Sequence, residues 1–213
     1  MSLPDEYVGF LDQYARTKGY DSRSAVVRDE WGNSAGRLGG VTYLVREPTP
    51  LDAADLGAVH VRAWQEAYRG GLMPDEYLDS LSIDDRAEMW QRFLASDPRP
   101  QHRRFVADDL AGSAVGFILV GPGGDGPALE GEVYALNVDP DHWGGGAGTM
   151  LLDAGTRALI EEGFTTAVLW VHPGNGRARR FYEARGWSAD DAERTQEVLG
   201  VTVPEARYVR PLR

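Results

Sequence analysis

The chain has 213 residues, enough for one domain with a sizeable core plus a short appendage, and 42 % of them are hydrophobic, which excludes a disordered chain. Its 33 acidic and 22 basic residues give a formal charge of -11, which disfavours a phosphate backbone as partner and favours cationic or neutral ones. Cysteine is absent, so disulfides, thiolate nucleophiles and cysteine-based zinc sites are excluded together.

Residues 1–36 read as two short helices. Pro4, Asp5 and Glu6 suit a first helical turn, and Tyr7, Leu11 and Tyr14 follow at the spacing of one apolar face. Gly19 stops that helix, and Asp21 or Ser22 caps a second one containing Ala25, Val26 and Trp31. Gly32 to Gly40 is linker-like in composition, which places a boundary over 37–40 and a main domain over 41–213.

Val41–Glu47 alternates as a strand. A long helix is expected from Thr49 or Asp52 to about Tyr68, broken by Gly70-Gly71, and a second helical region from Pro74 to Ala95, interrupted near Ser82. Strands follow over Arg104–Ala107 and Ala114–Val120, then a turn-rich hairpin loop over Gly121–Ala128 and another strand over Glu130–Val138. Met150–Glu162 reads as a helix with Leu151, Leu152, Gly155 and Leu159 toward the core. Thr165–Val171 is a near-continuous apolar strand, as expected when both faces are covered. A helix over Arg177–Arg185 stops at Gly186, and the tail from Arg194 to Arg210 reads as a hairpin. The order predicts an α/β (α+β) layered protein with a mixed sheet. The four histidines, His60, His102, His142 and His172, lack metal-ligand spacing, so no metal is expected. Neither a signal-peptide pattern nor an apolar run near the ~20 residues of a membrane span is seen, so a cytoplasmic protein with no membrane partner is expected.

Between Val138 and Leu152 a strand ends, a proline turns the chain, four glycines fall within five positions, and a helix begins. Glycines let backbone N–H groups approach a ligand, and a helix N-terminus adds partial positive charge, so the segment suits a pyrophosphate. It fits neither GxxxxGK[ST] nor GxGxxG. Trp143-Gly144-Gly145-Gly146-Ala147-Gly148 resembles the coenzyme A loop [Q/R]-x-x-G-x-[G/A] of the GNAT N-acetyltransferase superfamily, with Trp143 in place of the glutamine or arginine. Asn175 to Trp187, NGRARRFYEARGW, resembles that superfamily's N-x-x-A-x-x-F-Y-x-x-x-G-[FW]. The resemblance extends to HVRAWQEAYRGGLMP upstream and PEARYVRPL downstream, covering about residues 41–213.

The resemblance implies a GNAT fold, a mixed sheet of six to seven strands flanked by helices, and acetyl-CoA as co-substrate for transfer to a primary amine. It implies that Leu136, Asn137 and Val138 face the pantetheine arm and that Gly144 to Thr149 hold the diphosphate, with Gly145, Gly146, Ala147 and Gly148 between them. It implies that Asn175, Ala178 and Phe181 contact the coenzyme and that Tyr182 is the acid protonating the departing sulfur. Glu132 lies eleven positions before Trp143, the offset of the base in the histone acetyltransferase branch, and Glu130 and Tyr134 share its face by two-residue alternation. Trp64 and Tyr68, one helical turn apart, are expected either to line the acceptor groove or to pack against Trp90 and Phe93. Six acids and five bases lie in residues 1–40, leaving 27 acids and 17 bases in the main domain, which suits a small cationic amine, an aminosugar or a peptide N-terminus.

The first ~31 residues resemble ribbon-helix-helix proteins, through Leu3-Pro4, Phe10-Leu11, Gly19-Tyr20, Ser22-Arg23-Ser24 and Val27-Arg28, but only three residues precede Pro4 where that family has its DNA-reading strand. A dimerisation role and a homodimer are therefore favoured over DNA binding. The rival function is a ribbon-helix-helix autoregulator, or an antitoxin–toxin-like fusion acetylating aminoacyl-tRNA, and the acidic domain speaks against a tRNA ligand. A third reading is an acyl-CoA sensor without turnover.

Overall fold

Apolar alternation and helix-period segments resolve, in the computed structural model, into one seven-stranded sheet with helices on both faces. Described are residues 43–96, 99–109, 111–124, 129–198 and 200–212. The expected helical extension, the linker and the start of the first strand lie outside them, as do the dimerising and DNA-binding readings that rest on the extension. So does the 125–128 part of the hairpin loop.

The elements run β1 (Leu44–Arg46), α1 (Ala53–Tyr68), α2 (Asp75–Asp79), α3 (Ile83–Leu94), β2 (Arg103–Asp108), β3 (Ala114–Pro122), β4 (Glu130–Val138), α4 (Ala147–Glu161), β5 (Thr166–Val171), α5 (Gly176–Glu183), β6 (Ser188–Val198) and β7 (Val201–Pro211). The interruption expected near Ser82 is present: its hydroxyl accepts from the Asp85 amide and caps α3. Gly70 and Gly71 follow α1 with φ of 86° and 103°, a region that favours glycine. Several boundaries shift by one or two residues from the sequence reading, and two starts shift further. Helix α4 begins at Ala147, not Met150, and β6 begins at Ser188, not Arg194.

The strand order is β1-β2-β3-β4-β5-β7-β6, antiparallel everywhere except between β4 and β5. Two irregularities of β4 shape the molecule. Its register with β3 slips between Leu119↔Ala135 and Val120↔Val133, so Tyr134 is an extra residue and β4 bends there. Its parallel pairing with β5 covers only Glu130–Val133 against Thr166–Leu169. Beyond that point β5 continues paired to β7 through Trp170 and Val171, while β4 continues paired to β3.

Each face of the sheet has its own core. Ile118, Val120, Val133 and Leu169 pack with Leu151, Leu152 and Leu159 of α4 on one side. Val106 and Phe117 pack with Leu56, Val59, Trp90 and Leu94 of α1 and α3 on the other. Arg46 anchors the start of α1: its guanidinium bridges Asp52, at 2.6 Å, and Asp108 of β2, also at 2.6 Å. Gly57 lets α1 and α3 approach closely, since a Cβ there would lie 2.7 Å from the Ala87 amide nitrogen and 2.9 Å from the Ile83 carbonyl oxygen.

Those obstructing atoms are backbone and cannot swing aside. Helix propensity favours Ala over Gly by about 1 kcal/mol, whereas overpacking a close contact costs about 1–3 kcal/mol. Gly57→Ala is therefore expected to lower unfolding free energy by about 1–2 kcal/mol in urea denaturation; a stabilised variant would contradict this contact.

Candidate active site

Where β4 and β5 part, a cleft of about 640 Å³ opens between them. It runs from the glycine-rich segment, past the start of α5, to α1 and the β6–β7 hairpin. Leu136, Asn137 and Val138 of β4 line it. The Val138 carbonyl already accepts one hydrogen bond, from the Trp143 indole Nε1 at 2.7 Å.

A chain of polar contacts shapes the glycine segment. The Asp139 carboxylate accepts from the Asp141 amide at 3.0 Å and closes the turn Pro140–His142. Arg62 of α1 ties this turn down, 3.2 Å from Asp139 and 2.5 Å from Asp141. Gly146 then takes φ 103° and becomes the N-cap of α4, with no side chain capping it. The first N–H groups of a helix have no intrahelical acceptor, and Gly144, Gly146, Gly148 and Thr149 line the cleft here. Gly145 and Ala147 do not line it. Gly145 backs onto the Tyr43 hydroxyl, 2.5 Å from where a Cβ would sit, and Ala147 is fully buried in the core.

Asn175 caps α5, its side chain accepting from the Ala178 amide at 3.0 Å. Ala178, Phe181 and Tyr182 of that helix line the cleft. Tyr182 is buried with its ring 5.2 Å from Phe181 and 6.1 Å from Trp187, centroid to centroid. Burial, and secondarily Tyr68, raises its phenol well above the ordinary 10.0, so it keeps its proton at neutral pH. Two arginines absent from the sequence reading sit at the same end. Arg177 stacks 4.0 Å over the Trp143 ring, and Arg185 stacks 3.9 Å over Phe181 while donating to the Thr149 hydroxyl. No spacing rule in the sequence pairs Arg177 with Trp143; the fold brings them together from separate segments.

The far end is aromatic and acidic. Trp64 and Tyr68 of α1, 5.4 Å apart, line the cleft. Trp90 and Phe93 instead pack on each other at 5.5 Å. Burial pushes the Tyr68 phenol up to about 12, with Glu205 adding to the shift. Tyr134, the bulge residue, also lines the cleft, donates to the Pro122 carbonyl at 2.5 Å and stacks on His102 at 5.7 Å. Its phenol is likewise pushed to about 12, by burial and then by Glu132.

Glu132 and Glu130 do not line the cleft itself. The Glu132 carboxylate lies just beneath it, 4.0 Å from Arg194. Burial raises its pKa above the ordinary 4.5, Arg194 opposes the shift, and Glu205 adds to it. Trp170 of β5, Gln196 of β6 and Val203 and Glu205 of β7 complete this far end, and sequence reasoning singled out none of them as a site residue. The two-residue alternation of β5 and β7 was the available signal, but only the sheet order shows that both strands border the cleft.

A family model described as the acetyltransferase (GNAT) family matches residues 58–187. N-acetyltransferase YuaI of Bacillus subtilis is 32 % identical over 163 residues, covering 76 % of this chain and 88 % of that protein. A mycothiol acetyltransferase of Propionibacterium freudenreichii is 42 % identical over 83 residues, but these cover 39 % of this chain and 27 % of the relative, so its acceptor is not carried over. Among solved structures, the PaiA N-acetyltransferase of Thermoplasma acidophilum, in complex with coenzyme A, has a TM-score of 0.58 at 18 % identity, covering 80 % of this chain and 99 % of that one, and shows the fold.

The Trp143 indole has two separable contacts, the hydrogen bond to Val138 and the face under Arg177. Trp143→Phe keeps a ring for Arg177 but leaves the Val138 carbonyl without its donor. It is expected to cost about 1 kcal/mol in urea denaturation, and a variant as stable as wild type would show that the bond contributes nothing.

Proposed function

The chain belongs to the acetyltransferase (GNAT) family and is an N-acetyltransferase, and on that footing we propose that acetyl-CoA is its co-substrate and that Glu132 and Tyr182 serve the transfer as base and acid. The acceptor in this reading is a primary amine on a small cationic molecule, an aminosugar or a peptide N-terminus. One observation carries the proposal: a single cleft joins an uncapped, glycine-built helix start to a protonated, buried phenol and, at its other end, to carboxylates.

The residues fit such a carrier. Main-chain N–H groups at the start of α4 suit a diphosphate, and the positive φ of Gly144 and Gly146 keeps side chains out of its way. Arg177 and Arg185 add two cations beside that loop. The edge of β4 beyond Val133, no longer paired to β5, offers main-chain groups to an extended arm, with Leu136 and Asn137 at its side. Acetyl-CoA, when bound, supplies the activated acyl group.

The chain's own groups then manage two protons. An amine acceptor arrives as an ammonium and must lose a proton to become a nucleophile. Glu132, its pKa raised by burial, is the group to take it, through an intervening water since the carboxylate does not itself line the cleft. Tyr182 holds a proton at its phenol and donates it to the departing sulfur. The cleft walls, Trp64, Tyr68 and Tyr134, align the acceptor and limit access of bulk water.

A base must be deprotonated, so turnover falls as pH drops through the Glu132 pKa, which burial places above 4.5. The kcat/KM profile for a fixed amine is expected to show that acid limb in wild type and to lose it in Glu132→Gln; an identical limb in both assigns it elsewhere. Tyr182→Phe is expected to lower kcat by about a hundredfold, within the range of general acid catalysis, while the calorimetric affinity for acetyl-CoA stays within about twofold. Unchanged kcat removes Tyr182 from the acid role.

Arg177→Met is expected to act on the other parameter. It removes one charge-assisted contact and should weaken acetyl-CoA binding by about tenfold without changing the kcat pH profile. Unaltered affinity places the Arg177–Trp143 stack outside the coenzyme site.

A further inference from the structure

Strand alternation brings a set of charged side chains onto the acceptor face of the sheet. Glu132 pairs with Val168, Trp170 with Arg207, and Glu205 with Arg194, so all project on the same side. Glu205 and Trp170 line the cleft; Glu132 and Arg194 lie beside them. The Arg194 guanidinium stacks 4.2 Å over the Trp170 ring, pairs with Glu205 at 2.7 Å, and stands 4.0 Å from Glu132. An aromatic face with two carboxylates around it is a cation cage, and this one already holds a cation from its own chain.

The cage is not neutral. Arg207 lies 5.9 Å from the same ring but is bound to Asp190 at 2.5 Å, and Glu130 adds its charge to the neighbourhood of both Glu132 and Arg207. Among the described residues, Glu132 and Glu205 pair with Arg194 and Asp190 with Arg207, and Glu130 adds a fourth carboxylate. Negative charge is in excess even with Arg194 in place. The side chains of Glu132 and Glu205 are 12 % and 17 % exposed, whereas that of Arg194 is 38 % exposed and sits on a long flexible stem. The carboxylates are fixed and the cation can leave.

We propose that the Trp170 face and the Glu205 carboxylate form the subsite for a second, cationic group of the acceptor, with Glu132 left to the amine that is acetylated, and that Arg194 is an internal tenant displaced when that group binds. This rests on the acetyl-transfer reading and names the acceptor class within it: an amine that carries a guanidinium or second ammonium at a distance from the nitrogen to be acetylated. Removing Arg194 without replacement leaves two half-buried carboxylates uncompensated. A neutral acceptor cannot supply that compensation, so it meets the cage blocked by Arg194, whereas a cationic one exchanges with it. The internal arginine therefore selects against neutral acceptors as much as the cage selects for cationic ones.

The test uses agmatine, which joins a primary amine to a guanidinium, and carbamoylputrescine, in which a neutral urea of the same shape replaces the guanidinium. Their affinities are measured by calorimetry on the full chain saturated with coenzyme A, so the result does not depend on turnover. Agmatine is expected to bind at least about tenfold more tightly, as a charge-assisted pair implies. Glu205→Gln is expected to erase that ratio by weakening agmatine alone, and Arg194→Gln to tighten agmatine. Equal affinities in wild type, no binding of either probe, or unchanged or weaker agmatine binding to Arg194→Gln overturns the proposal. The wild-type comparison stands even where a variant does not fold. Thiol release from acetyl-CoA with any other amine, measured alongside, keeps the acetyl-transfer reading separate from this one.

Discussion

The molecule is organised by the point at which two neighbouring strands stop pairing. β4 and β5 are parallel partners for four residues each and then diverge, each held on its outer side by another strand. Buried main-chain N–H and C=O groups need partners, and separating the strands removes the partners they would give one another. The bulge at Tyr134 helps to bend β4 away, and the indole of Trp143 satisfies one carbonyl at the strand's end. The remaining edge is a reason for the fold to bind an extended chain there. In the proposed reading, that unpaired edge is where the extended arm of acetyl-CoA would lie.

That divergence also sorts the charges. Arg177 and Arg185 come from the two ends of α5 and its following turn, and both are seated on aromatic rings at the loop end. Glu132 and Glu205 come from β4 and β7 at the opposite end. Between them the walls are phenols and indoles whose burial suppresses ionisation: Tyr68 and Tyr134 are pushed to about 12. The cleft is therefore a neutral passage with a cationic and an anionic terminus, a division suited to joining an anionic carrier and a cationic acceptor. The overall charge of -11 conceals this, because the sum says nothing of where individual arginines stand.

How much of this was legible in the sequence depends on whether the signal was local. The break before α3 was readable because Ser82 is a strong N-cap, and the loop before α4 because glycines follow a strand. The start of α4 was placed too late since Gly146, Gly148 and Thr149 have weak helix propensity; burial of Ala147, Leu151 and Leu152 extends the helix through them. The first half of β6, rich in acids and carrying Asp191 at φ 63°, has no strand propensity and exists through its pairing with β7. The same limit governs the site. Tyr182, Asn175 and the glycines belong to short motifs, whereas Arg177, Trp170 and Glu205 matter through neighbours far away in the chain. Trp143 shows both cases in one residue: a departure from its motif when read locally, and a platform for a replacement cation once folded.

The position of Arg194 bears on why an enzyme of this fold would keep a salt bridge inside its own groove. A pair so placed adds little stability, since desolvating both charges offsets much of their attraction. Its value lies in what it prevents. Arg194, stacked on Trp170, pairs with the Glu205 carboxylate and partly compensates the charge of Glu132. The compensation is incomplete, because burial and the neighbouring acids still hold Glu132 above the ordinary carboxylate range. A full second cation there would lower that pKa and weaken the base; no cation at all would raise it further and leave it protonated more of the time. The half-exposed arginine sits between these limits, and in the proposed reading it couples Glu132 electrostatically to Glu205.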